Sequence, residues 1–136
     1  MKVMSIIGTR TEIIKMSEII KELDKVTDHI LIHTGQNYDF ELNEIFYKDL
    51  NLRHPDHTLL TKGDSLAETL GNIMFEVEKM LNLYEPDAVV ILGDTNSALS
   101  GLIVKRMKIP LFHLEAGNRC FDDNVPEEIN RRILDH

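Results

Sequence analysis

A chain of 136 residues has room for one domain with a sizeable core, burying about two-thirds of its unfolded surface, but not for two independent ones. Its formal charge of -8 excludes a nucleic-acid surface, which needs clustered Lys and Arg, yet leaves a small phosphorylated ligand open because local cations act at close range. No apolar run approaches the ~18 residues of a membrane-spanning helix, and the single cysteine, Cys120, excludes an intramolecular disulfide and fits a reducing compartment.

The N-terminal MKVMSIIGTR carries a short apolar stretch without a small-residue cleavage site, so it reads as a buried strand over Lys2–Ile7 and predicts a cytoplasmic protein. Ile13, Met16, Ile20 and Leu23 then share one helical face. A second apolar run at His29–His33 is followed by Thr34-Gly35-Gln36-Asn37-Tyr38 and a short predicted helix over Asp39–Leu50. Leu66, Leu70, Ile73, Val77, Met80 and Leu81 mark a longer helix, whose start carries Ser65 three residues before Glu68, the spacing of a capping box. Runs at Asp87–Leu92 and Pro110–Leu114 flank a helix predicted from Thr95 to Met107 on the spacing of Leu99, Leu102, Ile103 and Arg106. Strands alternating with helices require crossover connections. The expected product is an α/β, Rossmann-like, doubly wound parallel sheet filling residues 1–136 as one domain. The chain ends inside a helical pattern with neither Gly nor Pro to stop it, which reads as a truncation.

In open α/β sheets a ligand lies beyond the carboxyl ends of the strands. After the first strand, Gly8 permits a tight turn and the following N–H groups open a helix, an anion cradle that Arg10 and Lys15 can reach. The plainer reading is a surface helix start with a Glu12–Lys15 pair. The loop with Gln36 suits hydrogen bonding to a nucleotide or sugar, or is an ordinary loop capped by Asp39. Asp94 stands at a strand tip as a catalytic carboxylate or as a helix N-cap. Glu115 directly follows an apolar run, a place where acids rarely sit for packing. Pro126-Glu127-Glu128 offers a further acid, although Pro and acids are also what a helix N-terminus favours. His113 reads as a satisfied core imidazole and Cys120 as inert, and the scattered His residues predict no metal site. Two cations and two acids at one sheet edge suggest an anionic leaving group coupled to proton transfer.

The segments Gly8-Thr9-Arg10 with Glu12–Met16, Gly93–Ser97, His113–Arg119 and Pro126–Arg131 together resemble the non-hydrolysing UDP-N-acetylglucosamine 2-epimerase family over nearly the whole chain. The resemblance implies a glycosyltransferase-B-like fold of two Rossmann-like domains, of which this chain holds only the N-terminal one, acting on a UDP-sugar without metal, nicotinamide or other cofactor. It implies inversion at C2 through a 2-acetamidoglucal, with Arg10 and Lys15 on the diphosphate and Asp94, Glu115 and Glu127 as acid/base candidates. Gly8, Thr9, Gln36 and Arg119 would add substrate contacts. The family's catalytic His and most uridine contacts fall beyond residue 136, so the fragment alone is expected to be inactive, and the full-length protein to be a homodimer. Thr11 departs from the usual Pro. TGQNYDFELNEIFYKDL and GNRCFDDNVPEE look like the branch making UDP-N-acetyl-L-fucosamine for capsule and O-antigen, rather than the one interconverting UDP-GlcNAc and UDP-ManNAc. A hydrolysing 2-epimerase and a non-catalytic nucleotide-binding module are the alternatives. A dinucleotide dehydrogenase is disfavoured because the first turn lacks G-x-G-x-x-G.

Overall fold

The computed structural model describes residues 1–36 and 40–136. Asn37, Tyr38 and the proposed cap Asp39 lie outside the described residues. In chain order the elements are β1 (Lys2–Ile7), α1 (Arg10–Val26), β2 (Asp28–His33), α2 (Phe40–Asp49), β3 (His57–Thr58), α3 (Leu66–Tyr84), β4 (Ala88–Leu92), a 3-10 turn (Asn96–Ser100), α4 (Gly101–Arg106), β5 (Leu111–Leu114) and α5 (Pro126–Asp135). The strands form one sheet in the order β3-β2-β1-β4-β5, with every pairing parallel. This is the expected Rossmann-like, doubly wound arrangement.

Two cores follow from the pleat, which sends alternate residues to opposite faces. Met4, Ile6, Ile30, Ile32, Val89 and Ile91 pack under Ile73, Val77 and Leu81 of α3 and Val104 of α4. Val3, Ile7, Leu31, Val90 and Leu92 pack under Ile13, Met16 and Ile20 of α1, with Tyr47 of α2. Because both faces are covered, the strands read as continuous apolar runs.

The structure departs from the sequence expectations in three places. The two-residue β3, paired through Ile32↔His57 and His33↔Thr58, is too short to leave a pattern. The helix predicted over Thr95–Met107 is instead a 3-10 turn followed by a six-residue α4. The tighter turn shifts the helical phase, so Val104 is buried while Leu102 faces outward. At the start of α3 the capping box is half formed: Ser65 accepts from the Glu68 N–H, but the Glu68 carboxylate accepts from the Asp64 N–H rather than from that of Ser65.

Candidate active site

The order of the strands places the point where the winding reverses between β1 and β4, and the carboxyl tips of β1, β4 and β5 lie side by side along one edge. Ligands of such sheets bind there. Each tip is built differently.

At the tip of β1, Thr9 caps α1 in a complete capping box with Glu12. The Glu12 Oε2 accepts from the N–H groups of Gly8 (2.8 Å) and Thr9 (2.7 Å), and its Oε1 accepts from the Thr95 hydroxyl at 2.9 Å. The anion cradle expected after Gly8 is therefore filled from within: the chain's own carboxylate takes the donors assigned to substrate. Glu12 is 1% exposed, and burial raises its pKa, opposed in part by hydrogen bonds from Gly8, Thr95 and Thr9. It locks the β1 loop to the β4 loop. Gly8 is needed for space rather than for turning, because a Cβ there would stand 1.9 Å from Ser97 Oγ and 2.4 Å from Thr34 Oγ1.

Arg10 opens α1, exposed to solvent. Lys15, one turn on, does not pair with Glu12. Its Nζ meets Glu115 Oε1 at 2.7 Å, which joins α1 to the tip of β5. Glu115 holds a φ of 62°, an uncommon left-handed conformation for a side chain of this kind and one that concentrates at functional sites. Gly93, with φ 74°, makes the corresponding turn after β4 and its N–H donates to Leu114 O at 3.0 Å, which ties the two tips together.

Asp94 is not an N-cap. Its carboxylate meets Arg131 Nε at 2.5 Å, while its carbonyl accepts from the Asn130 amide at 2.8 Å. Glu127, a short way before these two on α5, is exposed and lines a pocket of about 510 Å³ together with Thr9, Gln36, Thr95, Asn96 and Asn130. The Gln36 Oε1 accepts from both the N–H and the hydroxyl of Ser97, which fixes the β2 loop to the 3-10 turn. Arg119 is engaged with Asp135 Oδ2 at 2.6 Å. His113 donates its Nε2–H to Gly93 O at 2.6 Å and turns Nδ1 toward Asp135 Oδ1 at 3.2 Å.

Glu128 is the residue that the sequence hides. Fully buried, it accepts from the Cys120 N–H (2.9 Å), from Arg131 (3.0 Å) and from Arg132 (3.1 Å). The Cys120 N–H foremost, then the Cys120 thiol and Arg132, hold its carboxyl down to about 2 against the opposing effect of burial. As one of two adjacent acids in a first helical turn it looks, in sequence, like a dipole partner. By contrast the Thr9-x-x-Glu12 spacing is a readable capping signal. Among the described residues, no cluster of three or more His, Cys, Asp or Glu could hold a metal ion, and no helix is long and apolar enough to cross a membrane.

The arrangement suits the handling of an anion beside proton transfer: Arg10 and Lys15 in the first turns of α1, with Glu115 and Asp94 on neighbouring strand tips and Glu127 in the first turn of α5. The UDP-N-acetylglucosamine 2-epimerase family pattern matches residues 21–136. A UDP-N-acetylglucosamine 2-epimerase of Methanocaldococcus jannaschii is 46% identical over all of this chain and 38% of its own length. A UDP-2,3-diacetamido-2,3-dideoxy-D-glucuronate 2-epimerase of Pseudomonas aeruginosa is 37% identical over 99% of this chain and 39% of its own. Among solved structures, the M. jannaschii UDP-GlcNAc 2-epimerase in complex with UDP-GlcNAc and UDP superposes with a TM-score of 0.94 at 45% identity, covering all of this chain and 38% of that one. The UDP-N-acetylglucosamine 2-epimerase of Rickettsia bellii superposes with a TM-score of 0.92 at 54% identity, covering all of this chain and 36% of its own. The chain thus spans well under half the length of the relatives it matches, and its fold corresponds to the N-terminal half of glycosyltransferase-B-type epimerases. On the family match and these identities, the chain belongs to the UDP-N-acetylglucosamine 2-epimerase family.

Proposed function

We propose that these residues form the N-terminal domain, and part of the active site, of a non-hydrolysing UDP-N-acetylhexosamine 2-epimerase. The observation that carries this reading is the junction of three tips, where Lys15 of α1 meets Glu115 after β5 and Glu12 binds Thr95 after β4. In the proposed reaction a base removes the C2 proton while the C1–O bond to UDP breaks, giving a 2-acetamidoglucal and UDP. A diphosphate oxygen then adds back to C1 as a proton is delivered to the opposite face of C2. Such a hydrogen is scarcely acidic, so cations must assist departure of the diphosphate while carboxylates stand beside C2. Arg10 and Lys15 take the first task; Asp94, Glu115 and Glu127 share the second. The Lys15–Glu115 pair is half exposed, so exchanging the carboxylate for a diphosphate costs under about 1 kcal/mol and frees Glu115 for proton transfer.

Of the proposed substrate contacts, Thr9 and Gln36 line the pocket that Glu127 faces. Gly8 would contribute by keeping the loop close, and Arg119 by exchanging Asp135 for substrate. Relatives named for two different sugars favour a family reading in which the sugar ring varies. For this protein we favour UDP-2-acetamido-2,6-dideoxy-L-talose as substrate, giving UDP-N-acetyl-L-fucosamine for capsule or O-antigen. The full-length protein would work without a cofactor, as a cytoplasmic homodimer. The test is to assay the whole protein in D2O with UDP-GlcNAc, the L-talose derivative and the diacetamido-glucuronate, following deuterium into C2. Incorporation with the L-talose derivative alone is expected; release of free sugar instead of UDP-sugar would make the enzyme a hydrolase. Turnover by residues 1–136 alone would show that no further domain is needed.

A further inference from the structure

We propose that Arg131 is a positioning residue for this reaction: clamped by the buried Glu128, its guanidinium aims the Asp94 carboxylate at the tip of β4. The inference rests on the reading of Asp94 as an acid/base group. Asp94 follows a glycine in a left-handed turn and precedes a 3-10 turn, so no strand orients it. Its orientation comes from α5, where Arg131 Nε holds the carboxylate at 2.5 Å and the Asn130 amide holds the carbonyl at 2.8 Å.

The guanidinium is itself immobilised. Its NH1 donates to Glu128 Oε2 at 3.0 Å, and Glu128, with no exposed surface, is further held by the Cys120 N–H and by Arg132. Arg132 in turn reaches Asp123 at 2.9 Å. Holding two carboxylates at once in a fixed geometry is a task for Arg, because its planar fork fixes the donors in space, whereas a lysine ammonium is a point charge on a flexible stem. A group moving a carbon-bound proton requires such a support, since misplacement of the reacting atoms by ~1 Å costs about 100-fold in rate.

The experiment uses the whole protein with its UDP-sugar and compares Asp94→Asn, Arg131→Met, Arg131→Lys and the Asp94→Asn/Arg131→Met double variant, reading kcat, KM, C2 deuterium incorporation, UDP affinity by calorimetry and Tm. Arg131→Met should lower kcat and deuterium incorporation about 100-fold while KM and UDP affinity stay within about threefold. Arg131→Lys should recover about tenfold of that loss. In the Asp94→Asn background, Arg131→Met should cause no further fall in kcat, because the residue acts only through Asp94. Three results overturn the proposal: kcat within about threefold of normal in Arg131→Met despite a lower Tm, a loss confined to UDP affinity, or full additivity in the double variant. If Arg131→Met does not fold, Arg131→Lys carries the same kcat-against-KM test. Full activity in Asp94→Asn would sink the role given to Asp94 itself, whereas an inactive Asp94→Asn beside a normal Arg131→Met would sink the positioning role alone.

Discussion

Glu12 and Glu128 are both buried carboxylates near a helix N-terminus, and their surroundings treat them oppositely. Glu12, at the β1–β4 junction, meets only neutral donors among the described residues, two N–H groups and a hydroxyl, and burial raises its pKa. Glu128, on the β5 side, meets an N–H group and two arginines and is held at about 2. Burial penalises the charged form in both: at Glu12 it outweighs the hydrogen bonds, whereas at Glu128 the Cys120 N–H, helped by the Cys120 thiol and Arg132, outweighs it. Neutral donors leave a latch that tolerates a proton. With cations the carboxylate becomes one whose charge its neighbours require.

The contrast is sharpest under a Glu→Gln exchange. At Glu128 every protein donor is an N–H or a thiol, so an amide would aim its NH2 at a guanidinium and leave an arginine without its partner. Glu128→Gln should lower Tm more than any other exchange at these two junctions, as read by thermal unfolding of the whole protein. Under the proposed function, a fall in C2 deuterium incorporation should accompany it, because Arg131 is freed. A normal Tm would mean that the cations on the β5 side do not need the charge.

The Glu12 side is broken by volume rather than by charge. Gly8→Ala places a methyl 1.9 Å from Ser97 Oγ and should cost up to about 3 kcal/mol by denaturant unfolding. Loss of the Gln36–Ser97 contacts should accompany it. A cost below about 0.5 kcal/mol would show that the two loops are not held close by this contact.

The parallel sheet, four of its strands and its covering by helices on both faces are legible in the sequence because apolar runs and helical periods are local signals. So is the gathering of the polar strand tips along one edge, though not their order. Pairing is not legible. Lys15 stands three residues after Glu12, within reach on a helix surface, yet does not pair with it: Glu12 turns inward to cap the helix, and only the return of the chain at Glu115 supplies a partner. Glu128 and Arg131 are hidden for a related reason. Glu127 and Glu128 are chemically identical neighbours, and only the angle at which α5 docks decides which faces the pocket and which is buried. The 3-10 turn at Asn96–Ser100 escapes a local reading because it is fixed by contacts from Gln36 and Thr34, both distant in sequence.

A third buried titratable group extends the comparison to pH. Burial lowers the His33 pKa from 6.5 to about 4, and the Gly35 N–H donates to Nδ1, which requires that nitrogen to be unprotonated. A depressed folded-state pKa means that the unfolded chain binds more protons in this window. Stability is therefore complete above 6.5 and is lost as pH falls toward about 4, by about 3 kcal/mol. Glu128 adds a loss of the same sign at lower pH, between 4.5 and about 2. Glu12, whose pKa is raised, has the opposite sign: its contribution is complete below 4.5 and is lost as pH rises through its folded-state value. Tm measured against pH should fall between 6.5 and about 4, and His33→Asn, which keeps an acceptor for Gly35, should flatten that slope. An unchanged slope would assign the acid sensitivity elsewhere.

The smallest effect is the most discriminating. In Glu12→Gln the amide oxygen can take the Gly8 and Thr9 N–H groups while its NH2 donates to the Thr95 hydroxyl, which merely reverses one hydrogen bond. The exchange should change stability by no more than about 1 kcal/mol. It should also abolish the Glu12 contribution to the pH dependence, so that the variant loses less stability than the parent as pH rises from 4.5. A large loss from this one-atom change would mean that the β1–β4 latch depends on a negative charge after all, and the distinction between a neutral-donor carboxylate and a cation-held one would fail at the residue that should show it most clearly.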